Sequence, residues 1–353
     1  MKHSARSAFV SLIVPFLSFG QSTPGTTAPA PAARGAGSHR VILDVVVTDK
    51  SDKPVSGLQQ RDFTIVDNKQ PQPIVSFQAV AGTSAELPVE IVLLIDEVNA
   101  SFQTVANVRQ QTLKFLRQNG GQLAQPVTLI FFSDAGTKIL SQTRDGNALA
   151  AAMDQNENAL RTSRPSQGVY GEADRLQLSI RALNSVVTYE DNKPGKKMLL
   201  WISPGWAFLS GPNANLSAKD RQQIFDVIVG ASTALLESRI TLYSIDPLGA
   251  VEAGGSRTSY YREFLKGVST PKQAQEGNLS LQVLAYQSGG RVLNSSNDIT
   301  SLIASSVADA NSWYVLSFDA PPADGPNEYH ALDIRIGKPG LKARMRTGYY
   351  NQP

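Results

Sequence analysis

Three polar residues that follow an apolar run, Asp96, Asn99 and Ser101, have the types and spacing of a ligand-binding turn. The run Ile91–Ile95 is too short for a helix and is typical of a strand buried on both faces. Open α/β sheets bind ligands at the carboxyl ends of such strands, where Asp96 stands. A carboxylate, an amide and a hydroxyl so close together suit a hard cation or a polar ligand. The structural alternative is that Asn99 or Ser101 caps a helix beginning near Phe102.

Polar side chains also follow the other predicted buried strands, Val127–Phe132, Met198–Ile202 and Ile240–Ile245. Since the carboxyl ends of parallel strands meet at one edge of a sheet, we expect these side chains to form one ligand-binding face. Besides the three residues named above, the residues assigned to this face are Asp134, Ser203, Trp206 and Asp246.

Histidine and cysteine are too scarce for several kinds of catalytic site. The absence of cysteine excludes disulfides, thiolate metal sites and cysteine nucleophiles. Apart from His3, the histidines are His39 and His330, which are far in sequence from every predicted loop of the α/β region. We interpret both as surface or edge residues, which argues against a Ser-His-Asp hydrolase and against a zinc site. We therefore assign no catalytic residue.

The first 20 residues have the pattern of a cleaved signal peptide. Lys2 and Arg6 form a positive region, Ala8–Phe19 is apolar, and Gly20 is a small residue suited to cleavage. Neither this segment nor any later one is apolar for long enough to span a bilayer. We expect an exported protein, periplasmic or extracellular, in which a Pro-rich linker at 21–38 follows the signal peptide.

The net charge gives no indication of a nucleic-acid partner. The chain has 33 basic and 30 acidic residues, and removal of Lys2 and Arg6 with the signal peptide leaves 31 against 30, a net charge of +1. A nucleic-acid-binding domain is expected to be much more basic. The 41% hydrophobic content is that of a globular protein with a large core.

The pattern of apolar residues differs between the two ends of the remaining chain and the region between them. At both ends apolar residues alternate with polar ones, which is typical of antiparallel sheets with one buried face. Between the ends, buried strands alternate with amphipathic helices, which predicts βαβ units and a parallel sheet. The simplest architecture is one β domain formed by residues 39–87 and 312–353, into which an α/β domain of residues 88–311 is inserted.

Several segments, in the right order, resemble those of a known family. They are Gly57–Asp67, Ile95–Phe102, Trp313–Phe318 and Met345–Tyr350. Through them, over about residues 40–350, the chain resembles the von Willebrand factor type A (VWFA)-related proteins of acidobacteria and similar soil bacteria. The resemblance implies a three-layer, Rossmann-like VWFA domain inserted in a small antiparallel β-sandwich-like domain.

Typical VWFA domains bind a metal ion in an adhesion site that begins with Asp-x-Ser-x-Ser after the first strand. Asp96 matches the first Asp, but Val98 and Ala100 occupy the two serine positions. Pro204 stands where a later loop of the family has Asp. The resemblance therefore implies a degenerate site that binds Mg²⁺ or Ca²⁺ weakly or not at all, with no other cofactor. The residues available to it are Asp96, Ser101, Glu172 and Asp174.

Two functions from different classes fit these residues. The first is an exported, non-enzymatic binding module that holds a protein or cell-surface partner on the top face of its VWFA-like domain. The second is a metal-assisted hydrolase with Asp96, Glu172 and Asp174 around a divalent ion. The scarcity of histidine and the lack of cysteine favour the binding module.

Overall fold

The fold is organised around a strand, Val89–Asp96, in which every residue is buried. The computed structural model describes residues 40–81, 88–155, 169–206, 215–249 and 260–353, and the statements below concern these ranges. The predicted signal peptide (1–20), the predicted linker (21–38) and His39 lie outside the described residues.

The described residues form fourteen strands and six α-helices. The strands are β1 (Arg40–Thr48), β2 (Phe63–Asp67), β3 (Gln70–Gln72), β4 (Ser76–Ala81), β5 (Val89–Asp96), β6 (Gln122–Ser133), β7 (Gly136–Asp145), β8 (Lys196–Ile202), β9 (Ile240–Ile245), β10 (Val292–Leu293), β11 (Ser312–Asp319), β12 (Glu328–Ile336), β13 (Lys342–Arg344) and β14 (Gly348–Asn351). The helices are α1 (Phe102–Leu116), α2 (Gly146–Gln155), α3 (Val169–Glu190), α4 (Ala218–Glu237), α5 (Leu281–Gln287) and α6 (Ile299–Val307). None of the described helices is long and apolar enough to cross a membrane.

A six-stranded sheet forms the middle of three layers. Its strand order is β10-β9-β8-β5-β6-β7, and all neighbouring strands are parallel except β6 and β7. Helices α1, α2 and α6 pack on one face, and α3, α4 and α5 pack on the other. Strands covered on both faces are apolar over most of their length, which explains why β5 and β8 each contain an apolar run that is recognisable in the sequence.

The first and last strands of the described chain form two antiparallel sheets, with the orders β13-β1-β11-β4 and β14-β12-β2-β3. Strand β1 pairs with β11 from Arg40 opposite Asp319 to Val45 opposite Tyr314. The two sheets share one core, in which Leu43 and Leu316 are fully buried. The predicted fold class, a three-layer α/β domain inserted in a β-sandwich, is therefore confirmed. The boundaries at 88 and 311 stay a prediction.

Strand β7 is not predicted by the sequence analysis, which has no strand between Val127–Phe132 and Met198–Ile202. It pairs antiparallel with β6 at the edge of the parallel sheet. Its residues are mostly half-buried or exposed, and polar residues occur on both faces. An edge strand of this kind lacks both the apolar run and the strict alternation that identify the other strands.

His330 is wrongly predicted as a surface or edge residue. It is 3% exposed on β12, which lies between β14 and β2. Its Nδ1 atom lies 2.8 Å from Oδ1 of Asp67, and the hydroxyl of Tyr349 donates to Oδ2 of the same carboxylate over 2.8 Å. The partner that makes burial of this histidine tolerable is 263 residues away in the chain, so local pattern cannot reveal it.

The sandwich core predicts a large difference between two truncations of aliphatic side chains. Leu316→Ala removes a fully buried side chain between the two sheets and should lower the free energy of unfolding by about 2–5 kcal/mol. Val75→Ala, at a position 45% exposed, should cost less than about 0.5 kcal/mol. Urea denaturation measures both values, and equal losses would contradict a shared sandwich core.

Candidate functional site

The candidate site lies at the carboxyl edge of the parallel sheet, where three adjacent strands end in polar residues. The register places Ile95 beside Ile202 and Ile202 beside Ile245, so the next residues, Asp96, Ser203 and Asp246, form a row. All three are at most 4% exposed. The structure thus brings together three of the residues that the sequence assigns to ligand binding, below the surface of the domain.

Both carboxylate oxygens of Asp96 accept hydrogen bonds from donors of the protein itself. Its Oδ1 atom accepts from the backbone N–H groups of Val98 and Asn99, each over 2.9 Å. Its Oδ2 atom accepts from the side-chain amide of Asn99 over 2.9 Å and from the indole N–H of Trp201 over 3.0 Å. An ionised carboxylate has about four lone-pair sites, so four N–H donors leave little room for a cation.

Burial raises the pKa of Asp96, while hydrogen bonds from Trp201, Asn99 and Ser203 lower it in part. A buried carboxylate costs free energy unless it is paired or hydrogen-bonded, and here N–H dipoles take the place of a countercharge. The chemical role of Asp96 in this arrangement is to hold the β5–α1 loop and β8 together.

Asn99 connects this carboxylate to the neighbouring helix. Its side-chain amide nitrogen donates to Asp96 and also to the hydroxyl of Ser179 on α3 over 2.9 Å. The Ser179 hydroxyl in turn donates to the backbone carbonyl of Arg175. The β5–α1 loop is therefore fixed against both the sheet and α3.

Trp206 is buried beneath the edge and is not a surface aromatic group. It is 2% exposed, and its ring lies 5.1 Å from that of Trp201 in an edge-on arrangement. Trp201 also contacts Phe132 edge-on at 5.8 Å. Unlike the indole N–H of Trp201, that of Trp206 is buried and has no hydrogen-bond partner among the described residues.

The other predicted site residues lie apart from the Asp96 carboxylate. Ser101 caps α1 by accepting from the backbone N–H of Thr104 over 3.2 Å, as the structural alternative in the sequence analysis proposes. Asp134 is exposed in the β6–β7 turn. Glu172 and Asp174 lie in the first turns of α3, half-buried and exposed. Within the described ranges, no three Asp, Glu or His side chains are grouped as ligands for a metal ion.

A buried ion pair beside the site is absent from the sequence analysis. Glu97 is 7% exposed and lies 3.7 Å from Arg109 on α1, which is 6% exposed. Arg109 also donates to the carbonyl of Met153 and lies over the ring of Phe131 at 5.1 Å. Burial raises the pKa of Glu97, Arg109 lowers it, and the neighbouring carboxylate of Asp96 raises it further. The available signal was an arginine on the apolar face of α1, since such a charge requires a buried partner.

Comparisons with known proteins give no family model and no curated protein that matches the chain. Similar solved structures include an aerotolerance-related membrane protein from Bacteroides fragilis, at 14% identity and a TM-score of 0.35 over 62% of this chain and 98% of that one. The VWA domain of SpRpn10 is similar at 12% identity and a TM-score of 0.30, over 63% and 96% of the two chains. The manganese-loaded TRAP protein of Plasmodium vivax has 10% identity and a TM-score of 0.32, over 78% and 98%.

VWA domains are thus among the structures to which the chain is similar, in keeping with the resemblance in its sequence. Identities and TM-scores at this level support no conclusion about function.

Two buried tryptophans provide a matched test of the bond to Asp96. Trp201→Phe removes an indole N–H that donates to the carboxylate, whereas Trp206→Phe removes one without a partner. The first change should lower the free energy of unfolding by about 1–3 kcal/mol more than the second, because it leaves a buried carboxylate short of a donor. Urea denaturation of both variants measures the difference, and equal losses would show that the bond contributes nothing.

Proposed function

We propose that this chain is an exported, non-enzymatic binding module of the VWFA type that holds a protein or cell-surface partner on the carboxyl edge of its parallel sheet. No metal ion bridges the contact. The observation that carries the proposal is the set of four N–H donors on the Asp96 carboxylate. A cation at Asp96 would have to displace donors that already compensate a buried charge, which costs free energy.

The position of the sandwich supports the carboxyl edge as the binding face. The sandwich contacts the opposite, amino edge of the sheet, where the backbone N–H of Lys196 donates to the carbonyl of Pro88 and its side chain lies over the ring of Trp313 at 5.4 Å. These contacts place part of the sandwich at the amino edge, which supports the opposite, carboxyl edge as the face that a partner binds.

The side chains above the buried row suit a protein contact. Phe102, at the start of α1, is 54% exposed, and Ser101, which precedes it, and Asp134, in the β6–β7 turn, are exposed as well. Aromatic side chains at the centre of an interface commonly contribute much of the binding energy. The rigid loop below them reduces the entropy lost on binding, since its backbone is already fixed by Asp96 and Asn99.

Export is part of the proposal and is supported by the positive and apolar regions within residues 2–20. A signal peptide cleaved after Gly20 gives a mature chain beginning at Gln21, outside the cytoplasm.

The proposal predicts that partner binding depends on the carboxyl edge and not on divalent ions. The mature protein is used to capture partners from the cell envelope and exterior of its source, with Mg²⁺ or with EDTA. Asp134→Lys places a positive charge on the proposed face and should reduce capture of a specific partner about tenfold or more. Asp333→Lys, an equivalent change at an exposed position of β12 in the sandwich, is the control and should leave capture unchanged.

The comparison of capture in Mg²⁺ with capture in EDTA distinguishes a metal-free contact from a metal-bridged one. Equal capture with Mg²⁺ and EDTA is the expected result. Capture that requires Mg²⁺ and is lost in Asp96→Ala would contradict the metal-free contact and restore an adhesion-type metal site. Equal capture by the wild type and Asp134→Lys would move the binding face elsewhere.

A further inference from the structure

The layer between the parallel sheet and the sandwich contains more buried positive charge than negative charge. Arg239, at the end of α4, is paired with Asp44 of β1 over 2.6 Å, and their side chains are 18% and 9% exposed. Arg344 is paired in the same way with Asp309 over 2.6 Å. These two pairs are electrically balanced.

Two further cations in this layer have no carboxylate of their own. Lys196 is 1% exposed and Arg346 is 7% exposed, and within the described ranges neither forms an ion pair. Both lie close enough to Asp44 for its charge to act on them, but Arg239 already occupies that carboxylate. Burial lowers the pKa of Lys196, and it lowers the pKa of Arg346 to about 10, as expected for cations that lack sufficient countercharge.

Arg346 is the less satisfied of the two. Its Nη2 atom donates to the backbone carbonyl of Ser232 over 3.2 Å, whereas its Nε and Nη1 atoms are buried and have no partner in the part of the chain that the structure describes. Guanidinium N–H groups cannot be neutralised by losing a proton at ordinary pH, so the charge has to be compensated by another group.

A small cavity that opens to the surface lies beside Arg346. It has about 20 Å³ of room for the centre of a water-sized particle, and Arg346, Arg239 and Asp44 line it together with Ile42 and Ser288. The cavity lies where the sandwich strand β1 meets the end of α4 and the start of β9. That space exceeds the roughly 10–15 Å³ needed for a single water and suits one small ion or the end group of a small acid.

We propose that this cavity is a binding site for a small monovalent anion, a halide or a carboxylate, which compensates the charge of Arg346 and stabilises the contact between the parallel sheet and the sandwich. The site is separate from the carboxyl edge and does not depend on the proposed function. A single anion would accept from Arg346 and reduce the excess of positive charge in the layer by one.

The first test measures the melting temperature of the full chain in increasing sodium chloride. Sodium isethionate keeps the ionic strength constant, so that screening of surface charges does not change. Chloride should raise the melting temperature by about 2–4 °C and the rise should saturate, as binding to the folded state alone requires. A parallel titration with acetate distinguishes a halide from a carboxylate, and a rise with neither anion would overturn the proposal.

Three substitutions assign the effect to the cavity. Arg346→Gln should abolish the rise, and Asp44→Asn should shift it to severalfold lower anion concentration because the competing carboxylate is removed. Arg335→Gln, at an exposed position of the sandwich, should behave as the wild type. An unchanged anion response in both Arg346→Gln and Asp44→Asn would overturn the assignment, and the second variant decides the matter if the first does not fold.

Crystals of the wild-type chain grown in sodium bromide, with acetate in a second set, locate the anion directly. An anomalous bromide peak, or acetate density, in contact with the guanidinium group of Arg346 is the expected result. A water molecule at that position in both sets would overturn the proposal.

Discussion

The bonds between the Asp96 carboxylate and its four N–H donors are the constraint on which the carboxyl edge of this protein depends. A carboxylate that is only 1% exposed must be compensated, and the chain does so with backbone and side-chain donors from its own loop and from Trp201 on the next strand. The same bonds set the conformation of the β5–α1 loop and the entry into α1. The surface that we propose for partner binding is therefore built on a buried polar centre.

At the opposite, amino edge of the sheet, buried charges are compensated mainly by ion pairs. There the charges of Asp44, Arg239, Asp309 and Arg344 are paired across the contact with the sandwich, and Lys196 and Arg346 are left in excess. Such pairs fix the sandwich at the amino edge, because breaking one of them would leave an uncompensated charge. The protein thus has ion pairs at the amino edge, where the sandwich packs, and a carboxylate compensated by N–H donors at the carboxyl edge.

The sequence reveals those parts of the fold in which burial is uniform. Strands β5, β8 and β9 each contain the apolar run that predicts them. Strand β7 is missed because its exposed edge carries no regular pattern. In the candidate site, Asp96 and Ser203 are found from strand ends, but the role of Trp201 is hidden, since an indole within an apolar run has the appearance of a core residue. A buried indole N–H commonly has a hydrogen-bond partner, and that preference is the signal that was available.

The central claim is that Trp201 and the loop, rather than a cation, satisfy Asp96. The exchange rate and nitrogen chemical shift of the Trp201 indole N–H in the folded protein test it most directly, because that group donates to the carboxylate itself. The account predicts slow exchange with solvent, and a resonance that does not move when millimolar Mg²⁺ is added. A shift of this resonance on adding Mg²⁺, reversed by EDTA, would show that a cation reaches Asp96 and would contradict the account.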